Sequence, residues 1–523
     1  MTDILQKQYE NRISSLSTEV HNLKDENQML KQQIAVLQKM AFGPKSEKSK
    51  RLAPPENPDQ GVLFNEAETE AKKNAEEPLV DVPAHKRRKH AHHWDEILAK
   101  YPHEKRIITL PEEDRVCKRC GSGLTSMGME KIRTEVEFIP ASVKVIDVYR
   151  ESFQCLECRK QGHFSVEKPV VPQKVMLHSL ATASTVARVI VQKYQFAVPL
   201  YRQEIEWKNI GLPLPRATLA NWVIRCSEDW LTPVVSRLRE LLLEQPVIHA
   251  DETPVQVHRE KGRKNTTRSY MWVFTNGEYE TDRQIRLYQY RPGRSGSFAS
   301  DFLGNYSGIL QTDGYTGYER VNCGTHVLCW AHARRYFVDA IPPGLSEAEI
   351  DETVCGQAVK QINELFAIDK SLADLTPEER QESRLRLEQS KLEAFFAWLE
   401  TESGKAAPKS ALGKAIQYVL GSKDGLTAYL KDGHSALSNN ICERAIRNFT
   451  IGRKNWLFSD SPKGADASAA AYSIIETCKA NGLDPFKYLT FLFETMPNLD
   501  FKRHPERIDE CLPWNADVQE KCK

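Results

Sequence analysis

From Pro246 onward the spacing of apolar residues changes from helical to strand-like: PVIHADETPVQV, SYMWVFTNG and RQIRLYQYR are followed by GILQTDGYTGY and HVLCWAHARRYF. Strands with a period of two, succeeded by helices with a period near 3.6, can hide their apolar faces only by layering helices on a sheet. Residues 245–465 are therefore read as an α/β core. Within it, residues from about 344 to 436 are helical and highly charged, with breaks near Pro377 and Gly404, and read as an insertion. Residues 466–523 read as a C-terminal helical segment whose helix pair is closed by NGLDP and whose last twenty or so residues look irregular.

A chain of 523 residues exceeds what one ordinary core holds, so several domains of roughly 100–200 residues are expected. In residues 1–43 the apolar positions step by three and four through Ile13, Leu16, Val20, Leu23, Leu30, Ile34 and Leu37, with Asn27 as the polar core position. β-branched residues alternating with leucine, and a buried Asn that must pair with its twin, predict a parallel two-stranded coiled coil; an amphipathic helix packed on its own domain is the alternative. Gly43 and Pro44 end that helix, and residues 44–104 form a linker. Its acidic stretch from Leu52 to Val82 holds four prolines and is followed by the basic run HKRRKHAHH, His85 to His93. Residues 174–244 are helical, and IGLPLPRATLANWVIRC suggests a helix-turn-helix, with Gly211 and Pro213 in the turn and Arg216 to Cys226 as the second helix; a plain helical hairpin fits almost as well.

Charge averaged over the chain is uninformative, because a net +1 conceals opposite local fields. No apolar run reaches the roughly 18 residues that a spanning helix needs, and the polar opening MTDILQKQYENRI is unlike a signal peptide, so a cytoplasmic location is expected.

Twelve cysteines without a secretory signal point to metal ligands or buried thiols rather than disulfides. Cys117 and Cys120 form CKRC, Cys155 and Cys158 form CLEC, and 34 residues lie between the pairs. Two tight turns that each present two thiolates complete a tetrahedral Zn²⁺ site, and short strands in residues 105–173 make the whole a small zinc-bound β module. A redox dithiol suits one such pair better than two. His163 is a further candidate ligand, or simply an exposed side chain.

Asp251 follows the apolar run PVIHA, Asp313 follows ILQT, and Glu443 lies in the helical SNNICERAIRNF. Carboxylates gathered at one point repel unless divalent cations lie between them, and hard oxygen ligands suit Mg²⁺ or Mn²⁺. Two such ions support in-line phosphoryl displacement without a protein nucleophile. Spacing alone leaves open the reading that each acid is a turn former or a cap.

In order along the chain stand a zipper ending in FGPKSEK, the paired CxxC module, HADETP, TDGYTGY, CWAHARRYF, SNNICERAIR, GRKNWLF and YSIIETCKANGLDPFKYL. This series resembles the DDE transposases of the insertion sequence 66 family over nearly the whole length. The resemblance implies a multidomain α/β protein with an RNase H-like catalytic core carrying an α-helical insertion. It also implies that Asp251, Asp313 and Glu443 are the catalytic, Mg²⁺-binding acids.

By the same resemblance and by chemistry, several cations are candidate DNA contacts. His332 and Arg335 share a helix face and suit a scissile phosphate, or a core His and a surface Arg; Arg447 suits a salt bridge with Glu443 or a phosphate. Arg453 and Lys454 are expected along the DNA backbone, and Trp456 either stacks on an unpaired base or belongs to the core. Cys329 and His332 make a C-x-x-H pair that lacks a matching second pair for a metal site. The function implied is metal-dependent cleavage and strand transfer at the ends of an insertion sequence. The partners implied are transposon-end and target DNA, a second copy of the chain through the zipper or a higher oligomer, and two small accessory proteins, in the nucleoid of a bacterium. A junction resolvase and a non-catalytic DNA-binding repressor are the competing readings.

Overall fold

In the computed structural model, which describes residues 143–154 and 166–523, the sheet is organised by one long strand, β1 (Val247–Val257). The heptad segment, the linker with its basic run, Cys117, Cys120, Cys155, Cys158 and His163 lie outside the described residues. A short antiparallel pairing of Phe153–Gln154 with Val166–Glu167 lies among the described residues of the 105–173 segment, on either side of the second cysteine pair in sequence.

One edge of β1 pairs antiparallel with β2 (Arg268–Asn276), which pairs antiparallel with β3 (Arg286–Arg291). The other edge pairs in parallel with β4 (Ile309–Thr312), and β4 in parallel with β5 (Thr325–Leu328). The order is thus β3-β2-β1-β4-β5, and β6 (Phe458–Ser459) adds in parallel to the far end of β1 at Gln256 and Val257. Alternation divides the strands between two cores, as a period of two requires. Ile248 and Leu310 join one, while Val247, Ile309 and Val327 join the other.

The first core is shared by the N-terminal helices, most of the sheet and the C-terminal helices. Helices α1 (Ala183–Tyr194), α2 (Leu200–Asn209), α3 (Arg216–Cys226) and α4 (Thr232–Leu243) precede the sheet. Gly211 takes φ +91° in the α2–α3 turn, a conformation that costs an L side chain strain. Helix α3 buries Leu219, Trp222, Val223 and Cys226 and exposes Arg216, Asn221 and Arg225. Helix α5 (Gly296–Leu303) covers β2 with Phe302 stacked on Phe274, their centroids 3.8 Å apart.

Edge strand β3 would leave N–H groups unpaired, and a later helix satisfies them. In the helix Pro462–Ala480, Ser473 Oγ accepts from Tyr288 N at 2.8 Å and Thr477 Oγ1 accepts from Arg286 N at 3.0 Å. The run of alanines on this helix permits the close approach. The last twenty residues, expected to be irregular, are ordered into a 3₁₀ turn at Pro505–Cys511 and a helix at Ala516–Cys522. Buried Ile508, Cys511, Val518 and Cys522 anchor them to the first core.

Between β5 and the helix that carries Glu443, the chain builds the second core from α6 (Trp330–Ala340), α8 (Val354–Ser371), α9 (Pro377–Ser403) and α10 (Ala411–Gly421), while the short α7 (Glu347–Glu352) buries no residue. Helix α9 starts with a capping box between Thr376 and Glu379 and with Pro377 in its first turn, so proline serves here as a start signal. Its inner face buries charge as well as Leu392, Phe395 and Phe396. Arg384, fully buried, pairs with Asp369 of α8 at 2.6 Å and donates to Ser435 O at 2.9 Å. Arg380 donates to Gly433 O at 2.6 Å. These arginines hold the segment that leads back to the sheet.

Glu388, buried on the same face, accepts from Tyr429 Oη at 2.6 Å and has an unpaired second oxygen. Burial pushes its carboxyl up from 4.5 to about 7. A folded-state value above the unfolded one means that the associated stability is complete below about pH 4.5 and is lost as pH rises through about 7. Glu388→Gln is therefore expected to raise the urea midpoint at pH 8, by an amount equivalent to about 1–3 kcal/mol, and to change it little at pH 4.5. An equal shift at both pH values would show that ionisation is not its source.

Candidate active site

Parallel strands β1 and β4 bond only from Val247 opposite Ile309 to His249 opposite Gln311. Beyond that point β4 ends, at Thr312, and continuing the register by two residues sets Asp251 level with Asp313. A pair of acids at the place where two parallel strands part is where a sheet offers an open crevice. Asp251 Oδ1 is turned to its neighbour's Glu252 N at 2.7 Å, and Asp313 Oδ1 to Tyr315 N at 2.9 Å. Glu443 comes from the first turn of α11 (Asn440–Trp456), where the helix N-terminus favours a carboxylate. Burial first, then repulsion from Glu252, Asp313 and Glu443, raises the Asp251 carboxyl well above its ordinary range. Asp313 and Glu443, both distant from it in sequence, therefore act on Asp251.

Asn439, just before α11, has no capping hydrogen bond of its own. Its side chain is spent on β1 instead: Oδ1 faces His249 Nδ1 at 2.9 Å and Nδ2 donates to Ala250 O at 3.0 Å. Its N–H donates to Cys329 Sγ at 3.1 Å. His249 is fully buried, and burial holds its imidazole down at about 4, so at neutral pH it is an uncharged partner. On the other side of Asp251, buried Glu252 accepts from Tyr318 Oη at 2.6 Å and Arg294 Nε at 2.5 Å. Arg294 lies 3.7 Å from the centre of the Tyr315 ring, and Tyr315 Oη donates to Arg294 O at 2.5 Å. The turn TDGYTGY is thereby fastened to β1 through Glu252, the residue after Asp251.

Comparison with known proteins bears on this arrangement. Residues 178–467 match the family described as Transposase IS66 family, and residues 473–514 match the IS66 C-terminal element. The chain belongs to the IS66 transposase family. Residues 114–159 match the zinc-finger binding domain of transposase IS66, a span that contains Cys117, Cys120, Cys155 and Cys158 and supports structural Zn²⁺. Residues 29–104 match the domain described as Transposase C of IS166 homeodomain. Similar proteins include three from Sinorhizobium fredii. Uncharacterized protein y4qI is 28% identical over 97% of this chain and 93% of its own length. Uncharacterized protein y4jD is 29% identical over 78% of this chain and 79% of its own. Uncharacterized protein y4hP is 28% identical over 77% and 74%. No helix among the described residues is long and apolar enough to cross a membrane.

In this IS66-family chain the cations singled out from sequence lie as follows. Arg335 Nη2 donates to Glu443 Oε2 at 3.1 Å, and His332 Nδ1 lies 3.7 Å from Glu443 Oε1. Both face the third acid from α6. Burial lowers the His332 imidazole below its ordinary value. Arg447, one turn after Glu443, forms no ion pair with it among the described residues. Arg453 donates to Thr253 Oγ1 at 3.1 Å and to Pro254 O, tying the end of α11 to β1 just past Asp251. Lys454 is exposed. Trp456 is half-buried, with Lys193 Nζ 4.2 Å from the centre of its ring and Tyr194 and Tyr472 at its edges.

Glu252, Arg294, Tyr318 and Asn439 were not singled out from sequence. Glu252 and Tyr318 stand inside HADETP and TDGYTGY, and Asn439 stands inside SNNICERAIR, so proximity to an acid is the signal that marks them. Arg294 carries no such mark. Asn439→Ala is expected to destabilise the protein by about 2–4 kcal/mol, because it strips partners from two buried polar groups. Urea denaturation checks this, and a loss under about 0.5 kcal/mol, the ordinary surface range, would show that Asn439 does not hold α11 on the sheet.

Proposed function

We propose that this chain is a DDE-type DNA transposase that cuts and joins DNA strands at the ends of an insertion sequence, with Asp251, Asp313 and Glu443 as its catalytic acids. The observation that carries the reading is the level placement of Asp251 and Asp313 where β1 and β4 part, with Glu443 close enough to raise the Asp251 carboxyl. A mixed sheet with three antiparallel strands followed by two parallel ones, bearing an acid on its central strand and another past its neighbour, supports an RNase H-like core. The helices between α6 and α11 correspond to the insertion that such a core carries in this family.

The donor set suits Mg²⁺ or Mn²⁺: three carboxylates whose mutual repulsion a hard cation relieves, and no sulfur ligand among them. When bound there, such ions activate a water or a 3′-hydroxyl and stabilise the leaving oxygen. The chain's own groups do the positioning. Glu252, held by Arg294 and Tyr318, ties the strand at Asp251 to the turn that follows Asp313. Arg335 is half exposed and spends one nitrogen on Glu443, so its remaining donors are available to a phosphate oxygen beside the acids. Arg447 and Lys454 extend that positive face along α11. The exposed Arg216, Asn221 and Arg225 of α3 supply a surface for duplex DNA away from the acids. Dimerisation through the zipper, further assembly on DNA and the help of two accessory proteins belong to the same reading, as does residence in the bacterial nucleoid.

In vitro joining of labelled transposon-end DNA to target DNA in Mg²⁺ or Mn²⁺ tests the proposal. Asp251→Asn and Glu443→Gln are expected to lower joining by about 10³-fold or more while leaving end binding intact, since each removes cation ligation and not DNA contact. Joining by either variant at the wild-type rate would refute the assignment. End binding without joining by the wild-type protein, in the presence of the element's other products, would favour a repressor.

A further inference from the structure

The three acids leave two neighbouring side chains without a role. Cys329 ends the link from β5 and is the residue before α6; its side chain is fully buried and its sulfur accepts the Asn439 N–H. His332, in the first turn of α6, has a buried Nδ1 with no hydrogen-bond partner. That nitrogen faces Glu443 Oε1 across 3.7 Å, too far for a hydrogen bond. It is, however, the separation expected of two ligands of one tetrahedral ion, which at zinc bond lengths lie about 3.3–3.8 Å apart. Ligand atoms of Cys329, His332 and Glu443 all lie within 4.8 Å of one another. Arg335 lies nearer to Glu443 Oε2 than to Oε1, which leaves Oε1 turned towards the histidine.

We infer that Cys329, His332 and Glu443 form a second metal site, for Zn²⁺ or another thiophilic divalent ion, whose occupation takes Glu443 away from the catalytic acids and arrests the enzyme. The inference rests on the reading of Glu443 as the third catalytic acid. Ligand softness separates the two sites: a thiolate and an imidazole prefer zinc, whereas Asp251 and Asp313 offer only hard oxygen. Binding converts the Cys329 thiol to a sulfur–metal bond and releases its proton to solvent, with no change of oxidation state. Three protein ligands leave the fourth position to water, and Glu443 cannot serve both sites with the same oxygen. The cysteine-rich module, with Cys117, Cys120, Cys155 and Cys158 as its candidate ligands, lies elsewhere in the sequence, so the two sites would differ in donor set.

The test uses the full chain with its four-cysteine module already loaded with Zn²⁺, titrated with Co²⁺. One further cobalt is expected to bind with a sulfur-to-cobalt charge-transfer band. Cys329→Ser, which keeps an acceptor for the Asn439 N–H, is expected to lose that band and to weaken binding by at least about 10-fold; His332→Gln should weaken it similarly. In joining assays in Mg²⁺, with each protein referred to its own zinc-free rate, Zn²⁺ is expected to inhibit the wild type reversibly by chelator and to spare Cys329→Ser. Absence of the extra cobalt band, an unchanged band in Cys329→Ser, or equal zinc inhibition of both proteins would overturn the inference. If the wild type joins no DNA under any condition, the catalytic reading fails, and the inhibitory role with it, while the cobalt titration still decides whether Cys329 and His332 hold a metal.

Discussion

The site depends on one short irregular stretch of chain, Ser435 to Asn439, which every layer of the protein grips. Gln311 of β4 donates from Nε2 to Ala436 O at 2.6 Å and accepts from Ala436 N at 3.2 Å. Trp330 N, at the start of α6, donates to Leu437 O at 3.1 Å. Asn439 then bonds to His249 and to Ala250 O on β1, and Arg384 of the insertion holds Ser435 O. All of these groups are buried, and a buried polar group left unpaired costs roughly 1–3 kcal/mol, so the stretch has little freedom to shift alone. Glu443 begins its helix four residues later and inherits that position.

In this way residues far apart in the chain are held beside one another. Asp251 and Asp313 are fixed by strand register, a short-range device. Glu443 has no register to the sheet, because α11 is a helix laid against it, so side-chain amides and a histidine take over that role. The helices between α6 and α11 are part of the same mechanism. Their buried Arg380 and Arg384 bond backbone carbonyls at Gly433 and Ser435, which makes the insertion a buttress for the approach to Glu443.

Much of the core was legible because its signals are local. The change of period at Pro246 announces the sheet, and Asp313 stands just past the apolar run whose strand stops at Thr312, whereas β1 runs on past Asp251 to Val257. What could not be read is non-local. Nothing in KSALGKAI or RLRLEQSK says that Arg384 faces inward to Asp369, and nothing near Arg294 says that it meets Glu252. The tail looked irregular because its two elements, Pro505–Cys511 and Ala516–Cys522, are each only seven residues long and each buries only two residues, Ile508 with Cys511 and Val518 with Cys522, too few to show a period. Arg453 was expected at DNA on its type and Trp456 either at DNA or in the core; the fold uses the guanidinium of the first on β1 and packs the ring of the second beside Tyr194 and Tyr472. The Cys329–His332 pair looked incomplete in sequence, since its third potential ligand, Glu443, arrives from another helix.

The central claim is that Asp251, Asp313 and Glu443 surround one hard-cation site. Iron-directed cleavage tests it most directly: Fe²⁺ takes the place of Mg²⁺, ascorbate and peroxide generate hydroxyl radical at the bound ion, and the backbone is cut at its nearest points. Cuts beside all three acids, suppressed together by excess Mg²⁺ or Mn²⁺, are the predicted result; cuts that miss any one of the three, or that Mg²⁺ and Mn²⁺ leave unchanged, would contradict it.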